Sequence, residues 1–283
     1  MLKRLEADVF PEIGSLRLGQ IRTSAFRDVV RKIESRGAAD IAAKRVLQTC
    51  GQIMRYAMAN DFATHNPVAG IKPGDVLKPR TRRNYPRIDQ KELPKLLKAT
   101  DAYVGSDHTR LALQLMALTF VRTSELIGAR WSEFAIKEAR WVIPAERMKM
   151  KTPHIVPLSQ QALHVLARLQ AISFYRALVF PGDVRPEKPI SNNTLLFALY
   201  RMGYRGRMTG HGFIGVASTI LHEQGWPHEH IELQLAHQER NSVSAAYNHA
   251  QYLQHRAQMM QAWADYLDAR RAEAEERQQQ AAA

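Results

Sequence analysis

The chain has 283 residues, of which 45% are hydrophobic, and this is the composition of a globular protein with room for two ordinary domains. Forty Lys and Arg residues against 27 Asp and Glu give a formal net charge of +13, which favours a polyanionic partner such as nucleic acid. No run approaches the 18 apolar residues of a membrane span, and the opening MLKRLEADVF lacks the apolar core of a signal peptide. We therefore expect a soluble protein with no membrane partner. The single cysteine, Cys50, excludes an internal disulfide, which fits a reducing cytoplasm.

The positive charge is concentrated in the first third of the chain. Residues 1–88 contain 17 basic and 8 acidic residues, whereas residues 89–283 contain 23 and 19. A ribosomal or merely soluble basic protein could have the same net charge. The uneven distribution favours an N-terminal third that grips DNA.

Residues 1–70 are predicted to form a small all-helical domain that binds DNA. Segment 24–36 carries four apolar residues at helical spacing after a turn-rich stretch, and a longer helix follows over about 39–60, with Cys50 on its apolar face. The basic residues of these two helices are predicted to contact the DNA backbone: Arg27, Arg31, Lys44, Arg45 and Arg55. A solvated helix face is the alternative explanation for any one of these charges.

Residues 71–88 are predicted to be a linker. The stretch 66–88 contains four prolines, which exclude a regular helix, and six cations against the single Asp75. A passive spacer would not need these cations, so they favour a linker that lies along a phosphate backbone. The contacts predicted here are Lys78, Arg80, Arg82 and Arg83.

Residues 89–283 are predicted to form a second domain that is mainly α with a small antiparallel β-sheet. The short apolar runs WSEF, WVIP and HIVPL predict three strands at 131–134, 141–144 and 154–158. Apolar periodicity predicts a helix over 90–100, a buried helix that ends near 120, and later helices at 159–172, 191–202, 211–225, 228–236, 242–250 and 251–277. The low-complexity tail is expected to fray.

Several separate segments of this domain hold the residue types that phosphoryl transfer to a tyrosine requires. The attacking phenol must lose a proton, the phosphorane gathers negative charge, and the leaving oxygen needs a proton. Arg, His and Lys around a Tyr meet these needs without a metal, so no cofactor is implied. Seven of the 11 histidines lie between residues 211 and 255, but their spacing lacks a zinc signature and we reject a zinc site.

Four of these segments together resemble the tyrosine recombinase, or phage integrase, family. They are TFVRTSELIGARW, RMKMKTPHIVPLS, TGHGFIGVASTILHEQG and LAHQERNSVSAAYNHA, in this order. Residues 1–88 also resemble the core-binding domain of integrases from phages and genomic islands. The resemblance covers nearly the whole chain and implies an all-helical core-binding domain followed by an α+β catalytic domain.

Carried over position by position, the resemblance assigns a role to each residue. Arg122 would hold a nonbridging oxygen of the scissile phosphate, with Glu125 orienting it. Lys149 would protonate the 5′ oxygen, and Lys151 is its nearby competitor. The remaining assignments are an acid–base partner, a hydrogen-bond donor to the phosphate and the nucleophile: His211, His237 and Tyr247.

One position departs from the family pattern. Ile214 stands three residues after His211, where the family has its second catalytic arginine. Losing one preorganised donor costs on the order of 3–4 kcal/mol of transition-state stabilisation, so we expect impaired cleavage. A substitution introduced to hold a complex before cleavage, natural decay, and rescue by Arg207 or Arg240 are the competing explanations. The other segments are intact, which favours the first.

The implied function is a site-specific recombinase that cuts and rejoins double-stranded DNA at attachment sites and integrates or excises a phage or genomic island. It would act as a homotetramer on DNA, with accessory DNA-bending or directionality proteins, at the bacterial nucleoid. Beyond Tyr247 an apolar stripe recurs every three or four residues: Tyr252, Leu253, Met259, Met260, Trp263, Tyr266 and Leu267. It could pack on its own domain, but the resemblance implies that it docks on a neighbouring protomer. Longer members carry an additional N-terminal arm-binding domain, which suggests that this chain is a fragment. The alternatives are a noncatalytic DNA-binding protein on the same scaffold and a topoisomerase-like enzyme.

Overall fold

The computed structural model describes residues 1–36, 39–77, 86–236 and 252–282. The chain divides into two compact units, Met1–Arg83 and Asn84–Ala283. Each unit has a hydrophobic core of its own.

The described residues of the first unit form helices joined by turns, without a strand. Its helices are α1 (Leu2–Asp8), α2 (Phe10–Ile13), α3 (Thr23–Ser35), α4 (Ala39–Ala59) and α5 (Pro73–Val76). The packing of α3 on α4 forms most of its core, in which Cys50 is buried as expected and its pKa is raised by burial to about 11. Ile53 lies on the same helix as Cys50, but 41% of its surface is exposed.

The turn-rich stretch predicted before residue 24 is confined to residues 14–22. Helices α1 and α2 occupy most of residues 2–13, and Leu5, Val9 and Ile13 are buried. These three residues recur every fourth position, which places them on one face of a helical path. The break between the two helices, with Pro11 in the first turn of α2, hid this spacing.

The second unit surrounds a buried central helix. Its helices are α6 (Leu93–Asp101), α7 (Asp107–Thr119), α8 (Thr123–Ile127), α9 (Gln160–Ser173), α10 (Asn192–Arg201), α11 (Gly210–Glu223), α12 (His228–Gln234) and a C-terminal helix (Leu253–Ala282). All residues of α7 from Leu111 to Thr119 are buried, because helices pack around it on several sides. Among the described residues, no helix has the length and apolar character needed to cross a membrane.

A three-stranded antiparallel sheet of order β1-β2-β3 completes the second unit. The strands are β1 (Phe134–Ala135), β2 (Arg140–Ile143) and β3 (His154–Pro157). Trp141 and Ile143 are buried while their neighbours in β2 point outward, which is the alternation of a half-buried strand. Residues 131–133, predicted as strand, form a 3₁₀ turn instead. The prediction of a mainly helical fold with a small antiparallel sheet is confirmed.

The C-terminal helix packs against α6, α7, α9 and β3 of its own unit. Four residues of its apolar stripe are at most 2% exposed: Met259, Met260, Trp263 and Leu267. The other three, Tyr252, Leu253 and Tyr266, are half-buried. The buried part of the stripe therefore packs on its own domain, which was the alternative to docking on a neighbouring protomer.

Candidate active site

The turn after α7 presents Arg122 to the site. Phe120 ends α7 in the left-handed conformation, with φ 38° and ψ 33°, which costs a residue with a side chain about 1–2 kcal/mol. Its ring is completely buried and meets Trp263 edge-on at a centroid distance of 6.0 Å. This packing offsets the cost and fixes the turn that leads to Arg122 and α8.

Arg122 has acceptors from two distant parts of the chain. Its NH1 donates to Glu125 Oε1 at 2.7 Å, and the backbone N–H of Arg122 donates to Glu125 Oε2 at 3.0 Å. Its NH2 lies 3.4 Å from the carbonyl oxygens of Leu235 and Ala236, which follow α12. Only 26% of the arginine side chain and 4% of the glutamate side chain are exposed, so the guanidinium is held while an edge stays accessible.

A second arginine donates a hydrogen bond to the segment that contains Arg122 and Glu125. Arg147 lies in the 3₁₀ turn at the start of the β2–β3 loop and donates to the carbonyl oxygen of Glu125. Its NH1 also donates to Glu133 Oε2, which accepts from Trp141 Nε1 at 2.9 Å. Nothing in the spacing of Arg147 and Glu133 connects them with Arg122, so their support of this turn could not be predicted from the sequence.

The start of α11 lies directly against this turn. Thr209 caps the helix by accepting from the backbone N–H of Gly212 at 3.1 Å. At Gly210 an added Cβ would overlap Thr123 Oγ1 and lie 3.4 Å from Met116 Sδ. Glycine allows this close approach of α11 to Thr123 without a shift of the threonine side chain, and the exposed His211 follows it in sequence.

Ile214 is part of the apolar core and is only 6% exposed. It lies one turn after His211, on a helix whose Phe213, Val216 and Ala217 are also buried. Of its proposed substitutes, Arg207 pairs with Glu92 and stacks over the Tyr204 ring at 5.5 Å. Arg240 lies outside the described residues.

The two candidate lysines lie in the loop between β2 and β3. Lys149 is exposed, two residues after Arg147. Lys151 is also exposed, adopts a positive φ of 56°, and its Nζ lies 3.4 Å from the carbonyl oxygen of Glu146. The loop therefore offers both lysines, and its position near Arg122 is set by the bond from Arg147 to Glu125.

His237 and Tyr247 lie outside the described residues. The residue just before them, Ala236, has a positive φ of 50° and accepts from Arg122 through its carbonyl. The structure thus brings together the Arg122 turn, the start of α11 and the end of α12, which leads into His237.

The cations predicted to bind DNA divide into two groups. Those on α3 and α4 are exposed: Arg27, Arg31, Lys44, Arg45 and Arg55. Those of the linker lie outside the described residues: Lys78, Arg80, Arg82 and Arg83. Within the described ranges there is no group of three or more side chains suited to hold a metal ion.

Comparisons with known proteins agree with this arrangement. A model described as the phage integrase family matches residues 86–254, and one described as the phage integrase central domain matches residues 1–73. The chain is 42% identical to the integrase of Enterobacteria phage P4, over 96% of this chain and 65% of that protein. It is 35% identical to the integrase of Shigella phage Sf6, over 95% of this chain and 69% of that protein. The chain therefore spans about two thirds of the length of these relatives.

Solved structures share the fold at lower identity. A lambda integrase tetramer bound to a Holliday junction superposes with a TM-score of 0.67 at 18% identity, over 85% of this chain and 71% of that chain. The Tn1549 transposon integrase in complex with circular intermediate DNA gives 0.64 at 13% identity, over 86% and 84%. With both family models matched in chain order, and with more than a third of residues identical to phage integrases, the chain belongs to the phage integrase family of tyrosine recombinases.

Proposed function

We propose that this chain is a site-specific recombinase that cleaves and rejoins double-stranded DNA at attachment sites of a phage or genomic island. The observation that carries the proposal is the holding of Arg122 by Glu125 and by the two carbonyls just before His237. This arrangement aims a fixed positive charge at a place where a phosphate oxygen can reach it. A preorganised donor of this kind stabilises the charge that develops on a phosphorane.

The proposed chemistry needs only side chains of the protein. Tyr247 attacks the scissile phosphate and forms a 3′-phosphotyrosyl link while the 5′ oxygen leaves with a proton from Lys149. His211 acts as acid–base partner and His237 donates to the phosphate. The phosphodiester bond is exchanged for a phosphotyrosine bond, so rejoining by a 5′-hydroxyl needs no ATP and no metal.

The domain roles follow from the charge. Residues 1–70 and the basic linker 71–88 grip the DNA backbone, and residues 89–283 carry out the chemistry. In the lambda integrase complex named above, four protomers assemble on a Holliday junction. We infer the same homotetrameric assembly for this chain, with accessory DNA-bending or directionality proteins as further partners.

Ile214 favours a second candidate function, a recombinase scaffold that binds DNA with little or no cleavage. An apolar side chain packed into the core supplies no donor to a phosphate. Of the explanations considered for it, rescue by Arg207 is weakened because this arginine is already paired with Glu92.

A covalent-adduct assay separates the two functions. Duplexes selected from a random pool for binding to the full chain are nicked near the centre, incubated with protein and denatured, and DNA-linked protein is measured. We expect a weak adduct with the chain itself, a strong one with Ile214→Arg, and none with Ile214→Arg/Tyr247→Phe, which should still bind DNA. An adduct that persists in the Tyr247→Phe variant would remove the central mechanism. If both the chain itself and Ile214→Arg bind DNA but form no adduct, the binding scaffold is favoured.

A sulfur-substituted substrate identifies the general acid. Lys149→Ala should slow cleavage of ordinary DNA, whereas a 5′-bridging phosphorothioate should restore the rate because its sulfur leaves without a proton. Lys151→Ala is the matched control from the same loop. If the phosphorothioate restores the Lys151 variant and not the Lys149 variant, the acid is Lys151.

A further inference from the structure

Gln234, the last residue of α12, is a buried side chain that joins distant parts of the second unit. Only 1% of its surface is exposed. Its Nε2 donates to the carbonyl oxygen of Thr119 at 3.3 Å, across 115 residues of sequence. Thr119 is the last residue of α7, so this bond ties the end of α12 to the turn that presents Arg122.

Gln234 also connects to the sheet through its backbone. His154 Nε2 lies 3.2 Å from the carbonyl oxygen of Gln234. A carbonyl can only accept, so Nε2 of this buried histidine carries the proton. The bond ties the first residue of β3, which follows the lysine loop, to the end of α12.

Arg256, on the C-terminal helix, bonds to both α12 and β3. Its side chain is completely buried, and its NH2 donates to Gln234 Oε1 at 2.7 Å and to the carbonyl oxygen of Ile155 at 2.6 Å. Within the described part of the chain, its Nε and NH1 have no hydrogen-bond partner and no carboxylate pairs with it. Burial lowers the pKa of this guanidinium to about 10.

Stability alone is a poor explanation for such a residue. Burying a charge without a counter-ion is costly, and apolar replacements of buried charged groups are often neutral or stabilising. What Arg256 does supply is two directed bonds, to β3 and to α12, from a single nitrogen. Gln234 lies three residues before His237, and Arg256 lies nine residues after Tyr247.

We propose that Gln234 and Arg256 are positioning residues for DNA cleavage. They fix the Arg122 turn and β3 relative to α12 and the C-terminal helix, the two elements that flank residues 237–251. The inference rests on the proposed function for the reaction that it serves. The network itself is a property of the fold and can be tested without DNA.

The first measurement is hydrogen exchange of the full chain without DNA. Arg256→Met removes both bonds and keeps an apolar side chain of similar length. We expect faster exchange in 119–122, 154–157 and 234–236, with exchange in α9 unchanged. Leu267→Ala, a core truncation on the same helix, is the control that lowers Tm without this local pattern. Unchanged exchange in the three segments of Arg256→Met would overturn the proposal.

The second measurement separates positioning from stability. Gln234→Glu keeps an acceptor for Arg256 and gives it a counter-ion, but removes the donor to Thr119. In the Ile214→Arg background we expect this variant to keep its Tm and its DNA affinity, yet to form the covalent adduct about 10–100-fold more slowly. Leu267→Ala, assayed well below its Tm, should keep the adduct rate.

The two arms fail in different ways. Faster exchange together with an unchanged adduct rate would overturn the positioning role while leaving the recombinase function intact. If no variant with Tyr247 forms an adduct, the proposed function fails, and the exchange measurement still decides whether the network holds the three segments. The combined variant Gln234→Glu/Arg256→Met should slow the adduct no more than the slower single variant, and full additivity would argue against one shared network.

Discussion

Arg122 and Ile214 occupy comparable places in the fold and are treated in opposite ways. Each lies near the start of a helix that borders the site, Arg122 at α8 and Ile214 in the second turn of α11. Arg122 has a carboxylate and two carbonyls arranged around its guanidinium. Ile214 is packed among apolar neighbours.

The difference shows what a cationic site costs to build. A charge in a partly buried position needs acceptors fixed before the substrate arrives. Here Glu125 lies three residues away, and the two carbonyls come from residues more than 100 positions away. A position without such acceptors accepts an apolar side chain easily. Arg122 is therefore held by fixed acceptors with an edge accessible, whereas Ile214 contributes to the core.

The largest expected effect comes from making the two positions alike. Ile214→Arg should raise the rate of covalent-adduct formation roughly 100- to 1,000-fold, because it restores one donor to the phosphate. It should also lower Tm, since a guanidinium replaces a buried apolar group. Single-turnover adduct formation and thermal unfolding measure both, and Ile214→Leu is the apolar control. An unchanged rate in a folded Ile214→Arg variant would mean that Ile214 does not occupy the family's arginine position.

The second prediction concerns the stability that the Arg122–Glu125 pair contributes. Arg122→Met should lower the free energy of unfolding by about 1–3 kcal/mol, because Glu125 is left buried without its partner. Ile214→Val should cost less, about 0.5–1.5 kcal/mol. Denaturant unfolding measures both. Adding Glu125→Leu to Arg122→Met should recover part of the loss, and a double variant less stable than either single variant would contradict the pairing.

A smaller effect is expected where the start of α11 meets the Arg122 turn. Gly210→Ala places a methyl group against Thr123, so either the threonine side chain rotates or the start of α11 moves from the Arg122 turn. We expect a loss of about 1 kcal/mol in stability, together with slower adduct formation in the Ile214→Arg background. Gly74→Ala, which meets open space in helix α5, is the matched control and should be neutral or slightly stabilising. Equal effects of the two substitutions would show that the contact at Gly210 does not matter.

Sequence patterns predicted the parts of this molecule that are local. The apolar periodicity of α3, α4 and α9 gave their positions to within a few residues, because each helix buries one continuous face. Family motifs singled out Arg122 and Glu125, which form an ion pair, and His211, whose neighbour Gly210 lies against Thr123. Their catalytic roles stay predictions. The short helices α1 and α2 escaped because their common face is interrupted at Pro11.

Long-range partnerships could not be predicted in the same way. Nothing near Gln234, Arg256 or Arg147 indicates a partner 22 to 115 residues away, since each bond depends on the final packing of several elements. The stripe of the C-terminal helix was recognised correctly as apolar, but amphipathicity does not say which surface covers it. In the structure that surface is formed by α6, α7, α9 and β3.

The C-terminal helix also determines when this domain can be completed during synthesis. Trp263 Nε1 donates to the carbonyl oxygen of Ala117 at 2.8 Å, across 146 residues of sequence. At about 5–20 residues per second, a ribosome takes roughly 7–30 s to cover that distance. During this interval the face of α7 that Trp263 covers has not yet received this hydrogen bond. The same delay keeps Arg256 from joining α12 to β3 until the C-terminal helix has been synthesised.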